Sequence, residues 1–473
     1  MNMKNYPNLR WIIIPVLACL FWLPANAQNS FTLEQAIDFA LVQSQSIKLS
    51  DADIAIADAQ VKEYVASGIP QITGNANYTY FLAIPTQILP DFLGPAVDGR
   101  LLNYNLIDPE QIMPPMAGGV PAQFGLKNSV SIGGEASFMI FDPAFFSGLK
   151  AINKVKDLAK KQKEQTEYEI RQNITQAYAL VAYTTANKEF LDKNLANLRK
   201  TLSDTKALFE NGLVEELDVD RLELSMQILE VESEKLVRMT EVSTNLLKFQ
   251  MNYPLQEKIV LADDLEVLQV KLAPGNEELG LVNYNYLNRP EYQTILAGRT
   301  LNETQIENIR SGYYPSLRGI LSYSSQLFRN NLFDRDENGW FPNSFIGAGL
   351  SIPIYDGGRR KAQIQQAKID LEKVNVQLQL FEYGMDLEVK NARENLENAK
   401  STAAAREKNL KLAERIYNVT LTKYKEGVGS TVETSQAERE LYNAQSAYTE
   451  ALFDILNASL DLKKATGNLK TQN

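Results

Sequence analysis

Histidine is absent from the 473 residues, and cysteine occurs once, at Cys19. The first absence removes the commonest general base together with the commonest zinc ligand, and the second leaves no disulfide framework. After residue 23 no apolar run approaches the roughly 20 residues of a membrane-spanning helix, so any later bilayer crossing falls to β-strands. Positive charge is also in deficit: 48 Lys and Arg stand against 58 Asp and Glu, a formal charge of −10. The basic footprint of a nucleic-acid surface is therefore missing. No paired carboxylates stand out from the charged helix surfaces, so no residue is assigned a catalytic role, and no metal or cofactor is expected.

The N-terminus carries Lys4 and Arg10 before the apolar run Trp11 to Leu23 and the small-residue exit Ala25-Asn26-Ala27. Residues 1–27 read as a secretory signal peptide cut before Gln28. A second reading takes Val16-Leu17-Ala18-Cys19 as a lipoprotein site with Cys19 lipidated. Under the first cut two basic residues are lost, taking 48 to 46 against 58 acidic ones, and the net charge becomes −12.

The remainder is written twice. Phe209, Gly212 and Leu217 recur as Tyr424, Gly427 and Val432, each 215 positions on (424 − 209, 427 − 212, 432 − 217). A period this long is a duplication of a whole half rather than a solenoid unit. The first repeat is expected over 28–250, with a helix, strands at about 71–84 and 128–141, and a long helical hairpin at about 145–250. The second is expected over 276–466, with a helix, strands at about 316–328 and 343–354, and a hairpin at about 357–466. Residues 251–275 connect them, and 467–473 form a polar tail.

Four segments alternate apolar and polar residues. Ile72, Gly74, Ala76, Tyr78, Tyr80, Leu82 and Ile84 oppose Gln71, Thr73, Asn75, Asn77 and Thr79. Val130, Ile132, Ala136, Phe138 and Ile140 oppose Ser129, Ser131, Glu135 and Ser137. In the second repeat Leu317, Gly319, Leu321 and Tyr323 oppose Ser316, Arg318, Ser322 and Ser324, while Ile346, Ala348, Leu350, Ile352 and Ile354 oppose Gly347, Gly349 and Ser351. Each is near the roughly 9–11 residues of a tilted transmembrane strand, although a soluble sheet with one wet face alternates in the same way. Four strands cannot close a barrel alone, so the membrane reading requires an oligomer. The linking loops are long, Pro85 to Phe124 and Leu327 to Pro342, and Pro114-Pro115 and Gly118-Gly119 argue against regular structure in the first.

Between Gly357 and Glu426 there is no proline. Ile364, Ala367, Leu371, Val374, Leu378 and Phe381 step by three and four, as do Leu396, Ala399 and Ala403, then Leu410, Ala413, Tyr417, Thr420 and Tyr424, which is coiled-coil spacing. Leu191, Leu195, Leu198, Leu202, Thr205 and Phe209 repeat it in register under Arg406, Leu410, Ala413, Tyr417, Thr420 and Tyr424. A helix of roughly 65–70 residues is on the order of 100 Å long.

With its paired strand-to-helix junctions, Ile140-Phe141-Asp142-Pro143 and Pro353-Ile354-Tyr355-Asp356-Gly357-Gly358, the chain resembles the TolC-like outer-membrane efflux protein family. The paired tips Phe209-Glu210-Asn211-Gly212-Leu213-Val214 and Tyr424-Lys425-Glu426-Gly427-Val428-Gly429-Ser430 carry the same resemblance. It implies a mainly α fold with a small β part: long antiparallel helical hairpins forming a periplasmic tunnel, and four transmembrane strands per chain in a trimeric 12-stranded barrel. Residues 251–275 become an equatorial connector. The implied function is the outer-membrane exit duct of a tripartite efflux or type I secretion system, in the outer membrane of a Gram-negative-type cell with a large periplasmic portion. Its partners are two further copies of the chain, a periplasmic adaptor, an inner-membrane transporter and outer-membrane lipid. The alternatives are a coiled-coil structural protein and a passive porin.

The resemblance also assigns residues. Asp218 and Tyr424 match two members of the family's latch, while the latch arginine falls on Gly429. The constriction carboxylates fall on Glu433 and Gln436. Glu433 then has two readings, a carboxylate ring near the pore axis or a negative charge at a helix N-terminus. Gly212, Leu213 and Val214, with Gly427, Val428, Gly429 and Ser430, are the implied adaptor-docking tips. Each tip glycine also suits a left-handed helix end.

Overall fold

The computed structural model describes residues 29–90, 93–112, 120–273, 284–334, 336 and 339–469. The expected signal segment with Cys19, the Pro114-Pro115 and Gly118-Gly119 pairs and the end of the expected polar tail lie outside these residues. The first repeat contains β1 (Asn29–Phe31), α1 (Leu33–Gln43), α2 (Gln45–Ala66), β2 (Gln71–Tyr80), β3 (Thr86–Leu89), α3 (Leu93–Asn103), β4 (Val120–Gln123), β5 (Asn128–Phe141), α4 (Pro143–Glu210) and α5 (Glu216–Met251). Then follow β6 (Ile259–Leu261), α6 (Leu265–Leu272), α7 (Pro290–Ser311), β7 (Ser316–Arg329), β8 (Phe341–Ser351), α8 (Arg359–Lys425) and α9 (Thr431–Thr466). Two compact units divide the chain: Met1–Ala57 with Val155–Leu301 and Asp370–Asn473, and Asp58–Lys154 with Asn302–Ile369.

The second unit holds a four-stranded antiparallel sheet in the order β2-β5-β7-β8. Directly paired residues share a face, and the register runs Ile72 to Ala136 to Leu321 to Ile346, and Ala76 to Ile132. Tyr78 pairs with Val130, Phe138 with Gly319, Gly319 with Ala348, and Leu317 with Leu350, so one face gathers the four apolar sets. The opposite face carries rows such as Asn75, Gly133, Ser324 and Asn343. Ile72 is 81% exposed and Ile346 78%, so the apolar face is bare in the single chain.

Three local expectations change. Ile140 leaves the apolar set, because a β-bulge between Met139 and Phe141 pairs Phe141 with Leu317, and one extra residue reverses the alternation. The first strand ends at Tyr80 rather than near 84, since its partner β5 begins opposite it at Asn128. The last strand runs Phe341–Ser351 rather than to about 354, ending before Pro353, which has no N–H to pair. The loop after β2 is not structureless either. It contains α3, and β3 pairs antiparallel with β4 from Thr86 opposite Gln123 to Leu89 opposite Val120.

After the second sheet strand of each repeat, the long helices α4 and α8 start on an aspartate. Asp142 Oδ1 accepts the Ala144 N–H at 3.0 Å, with Pro143 at the first helical position where no N–H is needed. Asp356 accepts the Gly358 and Arg360 N–H groups at 3.1 and 3.2 Å in the second repeat.

The helical unit has an apolar core in which Leu33, Ile37 and Ala40 of α1 meet Ile174 and Tyr178 of α4, Leu247 and Met251 of α5, Leu268 of α6 and Leu456 of α9. The short parallel pair β1–β6 is tied to it, since the Tyr178 hydroxyl donates to the Phe31 carbonyl at 2.7 Å. Along the first hairpin Leu191, Leu195, Leu198 and Leu202 pack on Val219, Leu222 and Leu229. In the second, Leu410, Ala413 and Tyr417 pack on Ala437 and Leu441. The seam of α8 is half-buried from Ile364 to Phe381, buried from Met385 to Tyr417, and half-buried again at Thr420 and Tyr424.

The duplication is stricter in the structure than in the sequence. α5 and α9 have 36 residues each and start 215 apart (431 − 216). Both end on a left-handed residue, Asn252 at φ 55° and Gly467 at φ 77°. Upstream of the sheet a second offset applies: α2 and α7 have 22 residues each and start 245 apart (290 − 45). The 30-residue difference (245 − 215) arises between the strands, where the first repeat inserts α3 and the β3–β4 ribbon.

Candidate functional site at the hairpin tips

Each hairpin turns within five residues, and the two turns are superimposable bond for bond. The Gly212 N–H donates to the Phe209 carbonyl at 2.8 Å and the Leu213 N–H to the Leu208 carbonyl at 2.9 Å. At the same offset the Gly427 N–H donates to Tyr424 and the Val428 N–H to Lys423, both at 3.0 Å. Gly212 and Gly427 sit at φ 70° and 74°, a left-handed conformation that a β-carbon disfavours. The returning helices begin on Glu215 and Ser430, both extended, and Ser430 Oγ accepts the Glu433 N–H at 3.2 Å. Beside the turns, Leu213 and Leu217 in one tip and Val428 and Val432 in the other are exposed, leaving two apolar side chains at equivalent places in each.

Asp218 and Glu433 are equivalent positions (433 − 218 = 215), each in the first turn of a returning helix. Asp218 is half-buried and Glu433 exposed, and both carry negative charge where the helix dipole favours it. Gln436 is exposed and donates from Nε2 to Glu440 Oε1 at 3.0 Å. Tyr424 points elsewhere: its hydroxyl is 2.6 Å from Thr205 Oγ1 on α4. The Thr205 proton is already given to the Thr201 carbonyl at 2.8 Å, so the phenol is the donor. Gly429 has no room for a side chain, because a β-carbon there would meet Tyr424 N at 2.8 Å. The position where the family's latch arginine falls is thus closed by backbone, and among the described residues the bond between the two hairpins at this level is Tyr424 to Thr205.

Farther from the tips a second polar bridge joins the hairpins, with Asn194 Nδ2 donating to Gln445 Oε1 at 2.7 Å, both residues buried. Each hairpin is apolar inside and is tied to the other by hydrogen bonds. Sequence reasoning placed Thr205 in the seam without a site role and did not reach Asn194 or Gln445. A threonine or asparagine at a seam position among leucines was the available signal. Among the described residues no group of three or more potential metal ligands is assembled, and no helix is long and apolar enough to cross a membrane.

The profile of the family described as outer membrane efflux protein matches residues 285–468, the stretch that holds Tyr424, Gly427, Glu433 and Gln436. Among solved structures, CusC superposes with a TM-score of 0.68 at 15% identity, over 92% of this chain and 91% of that one. By sequence and by fold the chain is similar to TolC-like outer membrane efflux proteins. The outer membrane protein TolC of Vibrio cholerae is 25% identical over 309 residues, 63% of this chain and 68% of that protein. The outer membrane efflux protein BepC of Brucella suis is 31% identical over 124 residues. That match spans 26% of the TolC-like chain and 27% of BepC, about a quarter of each. The four-stranded sheet is an open segment in the single TolC-like chain, with β2 and β8 at its edges.

Proposed function

We propose that the chain is the outer-membrane exit duct of a tripartite efflux or type I secretion assembly, passive in itself and gated at the hairpin tips. The observation that carries this reading is the sheet: four strands with one continuous, exposed apolar face and two unpaired edges. Lipid tolerates no open sheet edge, so further copies must complete the wall. Three copies give twelve strands, an even number suited to a closed barrel.

The helices support the same oligomer. On α5 Leu224, Ile228 and Val231, then Val242, Leu246 and Phe249, form an exposed stripe at steps of three and four. On α8 Val376, Leu380, Tyr383 and Leu387 form another. Coiled-coil seams of this kind are stable when covered by a partner helix, and a neighbouring copy supplies one. The exposed apolar pairs at the tips fit a periplasmic adaptor, and the energy comes from an inner-membrane transporter joined through it. The tubular reading places the sheet in the outer membrane and the tips in the periplasm.

Purified protein reconstituted in planar bilayers tests this reading. The duct reading gives discrete conductance steps from detergent-extracted trimers, and co-purification of an adaptor that tip substitutions abolish. A non-conducting chain that stays in solution without detergent overturns it.

A further inference from the structure

Two polar side chains of α9, Ser435 and Glu438, are buried in the second hairpin. The Ser435 hydroxyl is 5% exposed and makes no hydrogen bond. Three residues on, along the same helix face, Glu438 is also 5% exposed, and among the described residues no donor or cation pairs with its carboxyl. Ala437 and Leu441, on either side of Glu438 in α9, pack with Leu410, Ala413 and Tyr417 of α8 in the apolar cluster of this hairpin. A carboxylate in such a place loses its hydration and gains nothing in return, so the protonated form is favoured. Burial pushes the Glu438 carboxyl up to about 7, against the opposing charge of Arg439 on the same helix.

The groups that face it are few. From α8 the Tyr417 phenol lies within electrostatic reach, itself pushed up to about 12 by its own burial and then by Glu438. On α4 the buried polar groups along this stretch are Asn194, Thr201 and Thr205, all uncharged and all hydrogen-bonded. No charged group of α5 has a field that reaches Glu438.

We propose that Glu438 is a proton-operated latch: protonated, it lets α8 and α9 close over it, and ionised, it drives the tip segment of α9 to open and admit water. Opening also gives the Ser435 hydroxyl a partner, so one movement relieves both groups. The proton released goes to bulk solvent. The consequence for conduction rests on the gate reading above, whereas the consequence for the helix does not. The packed state holds its proton up to about 7 while an open, hydrated carboxyl releases it near 4.5. Packing is therefore tightest in acid, weakens as pH rises through that window and levels off above it.

Hydrogen exchange of residues 431–445 in the detergent-purified full chain between pH 5 and 8 tests the latch, comparing the natural protein with Glu438→Gln after correction for intrinsic exchange. In the natural protein the opening constant rises by roughly tenfold per pH unit and flattens above pH 7, while the Gln variant shows no such rise. Identical profiles overturn the proposal. Should the Gln variant not assemble, isotope-edited infrared titration of the natural carboxyl decides: loss of the protonated band near pH 7 supports the latch, and loss near 4.5 overturns it. In bilayers, acidification lowers open probability in the natural protein and not in the variant. A chain that never conducts refutes the duct reading, and the exchange experiment still decides the latch.

Discussion

The Tyr424 phenol donates a 2.6 Å hydrogen bond to Thr205 Oγ1, joining the tip of the second hairpin to the helix that leads into the first. Thr205 is fully buried, so the bond is shielded from competing water. Tyr424→Phe keeps the ring and removes the donor, costing about 1 kcal/mol, as a neutral buried hydrogen bond does. Open probability in planar bilayers should rise by about fivefold, the equivalent of that energy. No change would remove the bond from the gate.

The glycine turns make a prediction of opposite sign at neighbouring sites. Gly212→Ala and Gly427→Ala each place a β-carbon at φ 70° or 74° and should destabilise by about 1 kcal/mol. Gly384→Ala, mid-way along α8 with nothing near its would-be β-carbon, should stabilise by roughly the same amount through helix propensity. Denaturant midpoints of the three variants check this, and a stabilising change at either tip would contradict the turn geometry.

Two faces of one sheet should respond differently to charge. Ile346→Lys places an ammonium on the apolar face and should cost about 2–4 kcal/mol if that face meets the bilayer core. Asn75→Lys, on the polar face, should assemble normally. The yield of heat-modifiable trimers in outer-membrane fractions separates the two, and equal yields would argue for a soluble sheet.

Under the carboxylate-ring reading of Glu433, three copies would concentrate negative charge at the pore constriction. Glu433→Gln should weaken block of single-channel current by divalent cations by about tenfold, as expected when a carboxylate ring loses its charge. Unchanged block would leave Glu433 as a helix-terminal charge only. A disulfide test of the tips should avoid position 429, where any β-carbon displaces the Tyr424 backbone.

Much of this fold was legible because turns and faces are local. The tip glycines, the aspartate-led junctions and the alternating strands announce themselves within a few residues, and the pairing register then brings Ile72, Ala136, Leu321 and Ile346 together. What escaped depends on pairing across distance. The bulge at Ile140 is a property of two strands, and the β3–β4 ribbon joins segments that flank a Pro- and Gly-rich stretch. Leu191 is fully buried while its counterpart Arg406 is exposed, because the two hairpins bury different lengths of the same seam. The α5 stripe from Leu224 to Phe249 has the same steps of three and four as the seams buried within the chain, so spacing alone does not tell an outer stripe from an inner seam. Among the candidate site residues, Tyr424 was visible from its motif, whereas Thr205 was visible as a polar seam position but not as the partner of Tyr424, since its spacing does not say which helix its hydroxyl meets. Glu438 looked like any other charge on a polar helix.

The central claim is that one chain builds only part of a wall and that three complete it. Native mass spectrometry of the detergent-extracted protein, released gently from its micelle, measures this directly. The account predicts a species of three times the mature chain mass, with no stable monomer in the absence of denaturant. A monomer that keeps its strands and remains soluble without detergent would contradict it.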